Sequence, residues 1–312
     1  MNALAFSFSV TFPIFSLLLL GAALRRWHWI DEGFVQTGSK LVFNLALPLV
    51  LFLSISDRST FSLLTPSLIL AGVTVTLALW WVCEWLARYW VHPARDRGVV
   101  VQGVYRANMG IVGLAYCIAA YGEQGLQAAS LYLAVVTILF NVIAVITLSR
   151  SLNREAGIRG AFVGMLQNPL IIAIVIALVF AGADWRLPNL IQDSAAMVAS
   201  MALPLALLCT GGSISWVGLR AERVSLGLAV AGKLILAPVL AVAVGLGFGL
   251  STLHLGVLVM MASAPTAVAS YVMVRAMGGN SGLAANIVSV TTLAAMLSVT
   301  VVLAVLRSLS LI

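Results

Sequence analysis

Long apolar runs separated by short polar breaks fill this chain from end to end. Each run is long enough to cross ~30 Å of hydrocarbon, which takes ~20 helical residues. Ten such spans are predicted, at about 7–24, 34–56, 66–90, 98–121, 125–148, 167–183, 190–215, 222–249, 254–277 and 281–306. No segment remains for a soluble domain. The longest polar stretch, SRSLNREAGIRG at 149–160, falls between spans five and six.

The pattern also repeats. VQTGSKLVFNLALPLVL at 35–51 recurs as IQDSAAMVASMALPLAL at 191–207, an offset of 156 in a chain of 312. Gln36, Val42, Ala46, Leu47, Pro48, Leu49 and Leu51 match Gln192, Val198, Ala202, Leu203, Pro204, Leu205 and Leu207. A chance match of ALPL in a Leu/Ala-rich chain is the competing explanation. Seven identities in seventeen, in the same ordinal span of each half, favour duplication. Five spans per half is odd, so the second copy enters the membrane from the opposite side. The expectation is an all-α integral membrane protein of two inverted five-helix repeats. The first repeat covers 1–150, a cytoplasmic linker 151–166 and the second repeat 167–312.

Composition agrees: 62% of residues are hydrophobic and 9% charged, far from a soluble domain. No basic residue precedes the first apolar run, and Arg25 and Arg26 follow it. That order suits an uncleaved first span rather than a signal peptide. The net charge of +7 is an asymmetry of topology. Eleven of the 17 basic residues border the odd-to-even loops, among them Arg88, Arg95, Arg97, Arg150, Arg154, Arg159, Arg220 and Arg223. Only Arg58, Arg186 and Arg307 border the other side. The arginine-rich side is therefore read as cytoplasmic, with both termini extracytoplasmic. The same residues could meet anionic lipid headgroups; nucleic acid is not an expected partner. Cys83, Cys117 and Cys209 stand alone inside spans and read as buried hydrophobes, not as a disulfide or metal framework.

Candidate chemistry lies where helices should break. In lipid, irregular backbone survives only inside protein or beside a cavity. Span four carries Arg106-Ala107-Asn108-Met109-Gly110-Ile111-Val112-Gly113, and span nine carries Ser263-Ala264-Pro265-Thr266. Aligning Gly125-Leu126 with Gly282-Leu283 puts Asn108 opposite Pro265. Two weak points in corresponding spans predict broken helices meeting near the midplane, with N-terminal ends that favour an anion. Close helix packing at the glycines and a simple kink at Pro265 are the structural alternatives. Asn108, Gly110, Asn141, Ser263, Pro265 and Thr266 are candidate substrate contacts, with Gly113 and Pro265 as hinges. Lys233, about eleven residues into span eight, joins them as a costly intramembrane cation. Arg106 and Glu84 read as a structural pair, and Asn44 as interhelical glue. Gly122 and Gly278-Gly279 mark tight turns after spans four and nine.

No acidic residue sits securely at the middle of a span, which argues against a carboxylate-based cation site. No metal-ligand spacing, phosphate loop or nucleophile motif is present, so neither an enzyme nor a bound cofactor or metal is expected.

The chain resembles the auxin efflux carrier family, which includes plant PIN-formed exporters and bacterial malonate permeases. The matching pieces are Phe12-Pro13, Leu20-Gly21 and Arg25-Arg26, then LVFNLALPLVLF at 41–52 and RANMGIVGL at 106–114. The second half adds NPLIIA at 168–173, ALPLALLCTGGSI at 202–214, the spacing Lys233 to Pro238, and ASAPTAVASYVM at 262–273. The resemblance implies a bile-acid-symporter-like fold with crossed, broken helices four and nine. It implies a scaffold of helices one, two, six and seven, containing Pro48 and Pro204, often dimeric. Helices three to five and eight to ten would move as an elevator, carrying a small organic carboxylate held by Asn108 and the Pro265 neighbourhood. Plant members have an amide at the second crossover; here Ser263 or Ala264 stands there, which departs from an auxin-like binding mode. A secondary carrier for a mono- or dicarboxylate such as malonate, coupled to protons or sodium, in a bacterial inner membrane, is the leading expectation. An anion channel and a non-transporting receptor of the same fold are the alternatives.

Overall fold

The computed structural model describes residues 3–56, 65–152, 168–214 and 222–312. Residues 153–166 of the expected linker, and Arg58, Arg154, Arg159 and Arg220, lie outside them. The described residues are helical, with one isolated two-residue bridge and no strand. Among the described residues, seven helices are long and apolar enough to cross a membrane by themselves. They are α1 (Ala3–Arg26), α2 (Glu32–Ile55), α3 (Pro66–Trp90), α5 (Met109–Ser151), α7 (Asn189–Gly212), α8 (Arg223–Gly247) and α11 (Ser281–Ser308). Between them lie α4 (Arg97–Tyr105), α6 (Pro169–Gly182), α9 (Thr252–Ser263) and α10 (Val268–Ala276).

Local chemistry explains the boundaries. Asp31 caps α2 by accepting the Phe34 N–H, and Asn168 caps α6 by accepting that of Leu170, with Pro169 in the first turn. Ser251 and Asn280 cap α9 and α11 in the same way. Inside α5, Gly122 has φ 59° and ψ −136°, a conformation open to glycine, so predicted spans four and five are joined through a sharp kink. Gly278, at φ 69°, makes the corresponding turn before α11.

Two prolines leave π-helical turns behind them. Val42–Ala46 is wound this way ahead of Pro48, and Gly232–Leu236 ahead of Pro238. Proline lacks an N–H and frees the carbonyl four residues earlier. At Pro238 that carbonyl belongs to Leu234, and the Ser298 hydroxyl donates to it.

The helices pack in two groups, joined by a contact of α1 along α11. In one, α1 lies along the second half of α7, and α2 lies against α6 and α7. In the other, α3, α4, α8 and α9 pack on one another and on α5 and α11. Every residue of α4 from Gly98 to Tyr105 is buried. The outer surface is apolar: Leu4, Trp81, Leu190, Met197 and Leu297 are each more than 65% exposed, as lipid-facing positions should be. Cys83, Cys117 and Cys209 are free and buried.

Candidate functional site

Both predicted breaks occur, and they touch. α4 ends in a turn in which the Ala107 N–H donates to the Tyr105 carbonyl at 3.0 Å. Arg106 at its centre has φ −79° and ψ 85°, an inverse γ-turn. On the facing segment, Ala264 and Ala267 leave helical geometry around Pro265. The two irregular segments run antiparallel. The Asn108 N–H donates to the Pro265 carbonyl at 2.7 Å, and the Ala267 N–H to the Arg106 carbonyl at 2.9 Å. Ala107 and Thr266 form the bridge between them.

Each break also leaves carbonyls of the helix before it without their helical donor, and on each side a side chain takes one of them. Gly103, four residues before Ala107, has its carbonyl taken by the Thr266 hydroxyl at 2.6 Å. Ala262, four before Thr266, has its carbonyl taken by the Lys233 ammonium at 3.1 Å. The Thr266 N–H in turn donates to Thr291 Oγ1 at 3.1 Å. In a membrane interior these bonds decide whether the irregular backbone is tolerated.

Two helices start at the crossover. Asn108 precedes the π-helical first turn of α5, and Ala267 precedes α10. The N–H groups of Met109, Gly110, Ile111, Val268 and Ala269 have no backbone acceptor among the described residues. All five residues line a cavity of about 390 Å³. Such ends carry a partial positive charge.

Of the sequence candidates, Asn108, Gly110 and Asn141 line this cavity. Asn108 is 6% exposed, and its side-chain amide makes no hydrogen bond among the described residues. Gly110 has open space where a Cβ would stand. Ser263, Pro265, Thr266, Gly113 and Lys233 are buried around the crossover but not on the cavity wall. Lys233 is completely buried, and its ammonium is engaged on the Ala262 carbonyl.

Arg106 is the residue whose place the sequence reading missed. It lines the cavity, and its Nη2 donates to Asn141 Oδ1 at 2.7 Å while Nη1 approaches Met273 Sδ at 3.3 Å. The expected pair with Glu84 does not form: among the described residues no carboxylate lies within ion-pair distance of Arg106. Its position two residues before the break in RAN was the available signal. Phe43, Leu133, Thr137 and Phe140 also line the wall, with Asn168 and Pro169 at the start of α6. The cavity therefore lies between the two helix groups. Among the described residues, no Asp or Glu lines it. A second cavity of about 380 Å³ shares no lining residue with it and mixes Glu123 and Asp184 with Arg186.

The family described as membrane transport protein matches residues 6–303. The chain belongs to this family. The match accords with the resemblance to auxin efflux carriers and makes the protein an integral membrane transporter. Among relatives, an "Uncharacterized transporter" of Methanothermobacter thermautotrophicus is 24% identical over 262 residues, 82% of this chain and 84% of that one. The "Uncharacterized transporter YfdV" of Escherichia coli K12 is 23% identical over 268 residues, 82% and 83% of the two chains. A "Putative malonate transporter" of Rhizobium meliloti is 26% identical over 318 residues, 95% and 94% of the two chains.

Proposed function

We propose that this membrane transport protein is a secondary-active carrier of a small organic anion, a mono- or dicarboxylate. The observation that carries the reading is the crossover. Two helix N-termini, the free Asn108 amide and the Arg106 guanidinium face one cavity that, among the described residues, no carboxylate lines. Donors gathered without acceptors favour a negative ligand. The name of the Rhizobium meliloti relative makes malonate the first substrate to test.

We read the architecture as ten spans in two inverted repeats. Span four is α4 with α5 up to Gly122, span five the rest of α5, and span nine α9 with α10. The paired breaks in spans four and nine support that reading. The packing of α1 on α7, and of α2 on α6 and α7, supports a scaffold containing Pro48 and Pro204. The remaining helices form the moving part of an elevator, and the cavity sits on the boundary between the two. The start of α6 lies on the arginine-rich side, so the cavity faces the cytoplasm of a bacterial inner membrane and both termini are outside. Asn44 is exposed in mid-span with no side-chain partner among the described residues. An unpaired amide in lipid is costly, which supports a homodimer that covers this face of α2.

Uptake of labelled malonate into proteoliposomes tests the function. Saturable flux, reduced at least about ten-fold by Asn108→Ala, is the expected result. Imposed potential, sodium and pH gradients identify the coupling. Single-channel currents would replace the carrier with a channel, and binding without flux would replace it with a receptor. No flux and no binding of any carboxylate by folded protein sinks the anion reading.

A further inference from the structure

The inference drawn here rests on the carrier reading and sharpens it. Arg106 is 9% exposed and stands on the cavity wall. A guanidinium has five N–H donors. Among the described residues the acceptors are a neutral amide oxygen, Asn141 Oδ1 at 2.7 Å, and a thioether, Met273 Sδ at 3.3 Å. Neither carries a compensating charge. A buried cation without an anion is strongly unfavourable unless something supplies one. Lys233 differs, because it points into the crossover and not into the cavity.

The charge count sets what the cavity can balance. Each helix N-terminus is worth roughly half a positive charge. The starts of α5 and α10 together with Arg106 therefore present about two. A monoanion leaves one of these uncompensated; a dianion neutralises both. Phe43, Leu133 and Phe140 give the cavity apolar wall as well, which suits a carbon skeleton better than an inorganic dianion.

We propose that Arg106 is the specificity-determining residue of the cavity. Its guanidinium, oriented by Asn141, holds the second carboxylate of a dicarboxylate dianion, while the two helix N-termini and Asn108 hold the first. Asn141 is a positioning residue in this arrangement. Its oxygen faces Arg106, which turns its amide nitrogen away as a further donor.

The test compares malonate with its monomethyl ester, the same skeleton with one charge removed, and with inorganic phosphate. Affinities are measured by competition against labelled malonate in proteoliposomes and by calorimetry on purified protein. Wild type should bind malonate at least about ten-fold more tightly than the half-ester, and both more tightly than phosphate. Arg106→Gln should lose about a hundred-fold for malonate and little for the half-ester, so that the preference collapses. Arg106→Lys keeps the charge but not the planar fork, and should retain part of the preference. If Arg106→Gln does not fold, the wild-type and Arg106→Lys comparisons still decide. Equal affinity of wild type for malonate and half-ester overturns the proposal while leaving the carrier intact. So does an equal loss for both ligands in Arg106→Gln. Tighter binding of phosphate than of malonate overturns the dicarboxylate class. Absence of binding by every carboxylate overturns the carrier reading and this proposal together.

Discussion

Gly21 and Gly211 set how closely α1 and α7 approach. A Cβ on Gly21 would lie 2.9 Å from both the carbonyl carbon and the Cα of Leu208, and closer still to its oxygen. A Cβ on Gly211 would lie 2.8 Å from the carbonyl carbon of Leu18. The contact is reciprocal, since Leu18 and Gly21 sit three apart on α1, as do Leu208 and Gly211 on α7. Carbon pairs rest at about 3.5–4.0 Å, so either alanine must push the helices apart by roughly 0.6–1.2 Å. The obstacle is backbone, and no rotamer change relieves it. Overpacking of this kind costs about 1–3 kcal/mol. If one separation accommodates both methyls, the double variant costs less than the sum of the singles. The assay is unfolding in mixed micelles by added SDS, followed by circular dichroism. Gly227 is the control, exposed on α8 with nothing within 4 Å of a Cβ. There alanine should be neutral or stabilising by up to about 1 kcal/mol. Gly21→Ala and Gly211→Ala proteins as stable as wild type, or a Gly227→Ala protein equally weakened, would refute the close approach.

Two further outcomes follow from the crossover. Thr266→Val strands the Gly103 carbonyl and should cost about 1–3 kcal/mol, and Lys233→Met strands that of Ala262 at about 1.5–3 kcal/mol. Both should appear as lower unfolding midpoints, with malonate affinity of the folded fraction changed less than by Asn108→Ala. Gly110→Ala does the reverse: its methyl enters open space, so stability should hold while carboxylate affinity falls, measured by calorimetry.

Much of the site's location was legible because breaking a membrane helix requires particular residues. Asn108 and Pro265 stood out as irregular positions in corresponding spans, and their backbones are hydrogen-bonded to each other. The turns at Gly122 and Gly278 were legible for the same reason, since a left-handed φ favours glycine. The roles of the charged residues were not. Arg106 read as half of an ion pair with Glu84 because both lie toward the same end of adjacent spans. Which way a side chain leaves a γ-turn depends on backbone angles that the one-dimensional pattern does not carry. Lys233 read as a substrate contact, and the orphaned Ala262 carbonyl that engages it exists only once span nine is broken.

The sequence by itself determined that the chain lives in a membrane, which way its arginines divide, and where its helices fail. Those are local consequences of hydropathy, of proline's missing N–H and of glycine's freedom. The tertiary structure alone decided that the two failures hydrogen-bond to each other, that Thr266 and Lys233 are spent on the carbonyls so exposed, and that Arg106 faces the cavity with no counter-charge among the described residues. Each of those depends on which donor lies nearest an unsatisfied acceptor across helices far apart in sequence, and only packing fixes that distance.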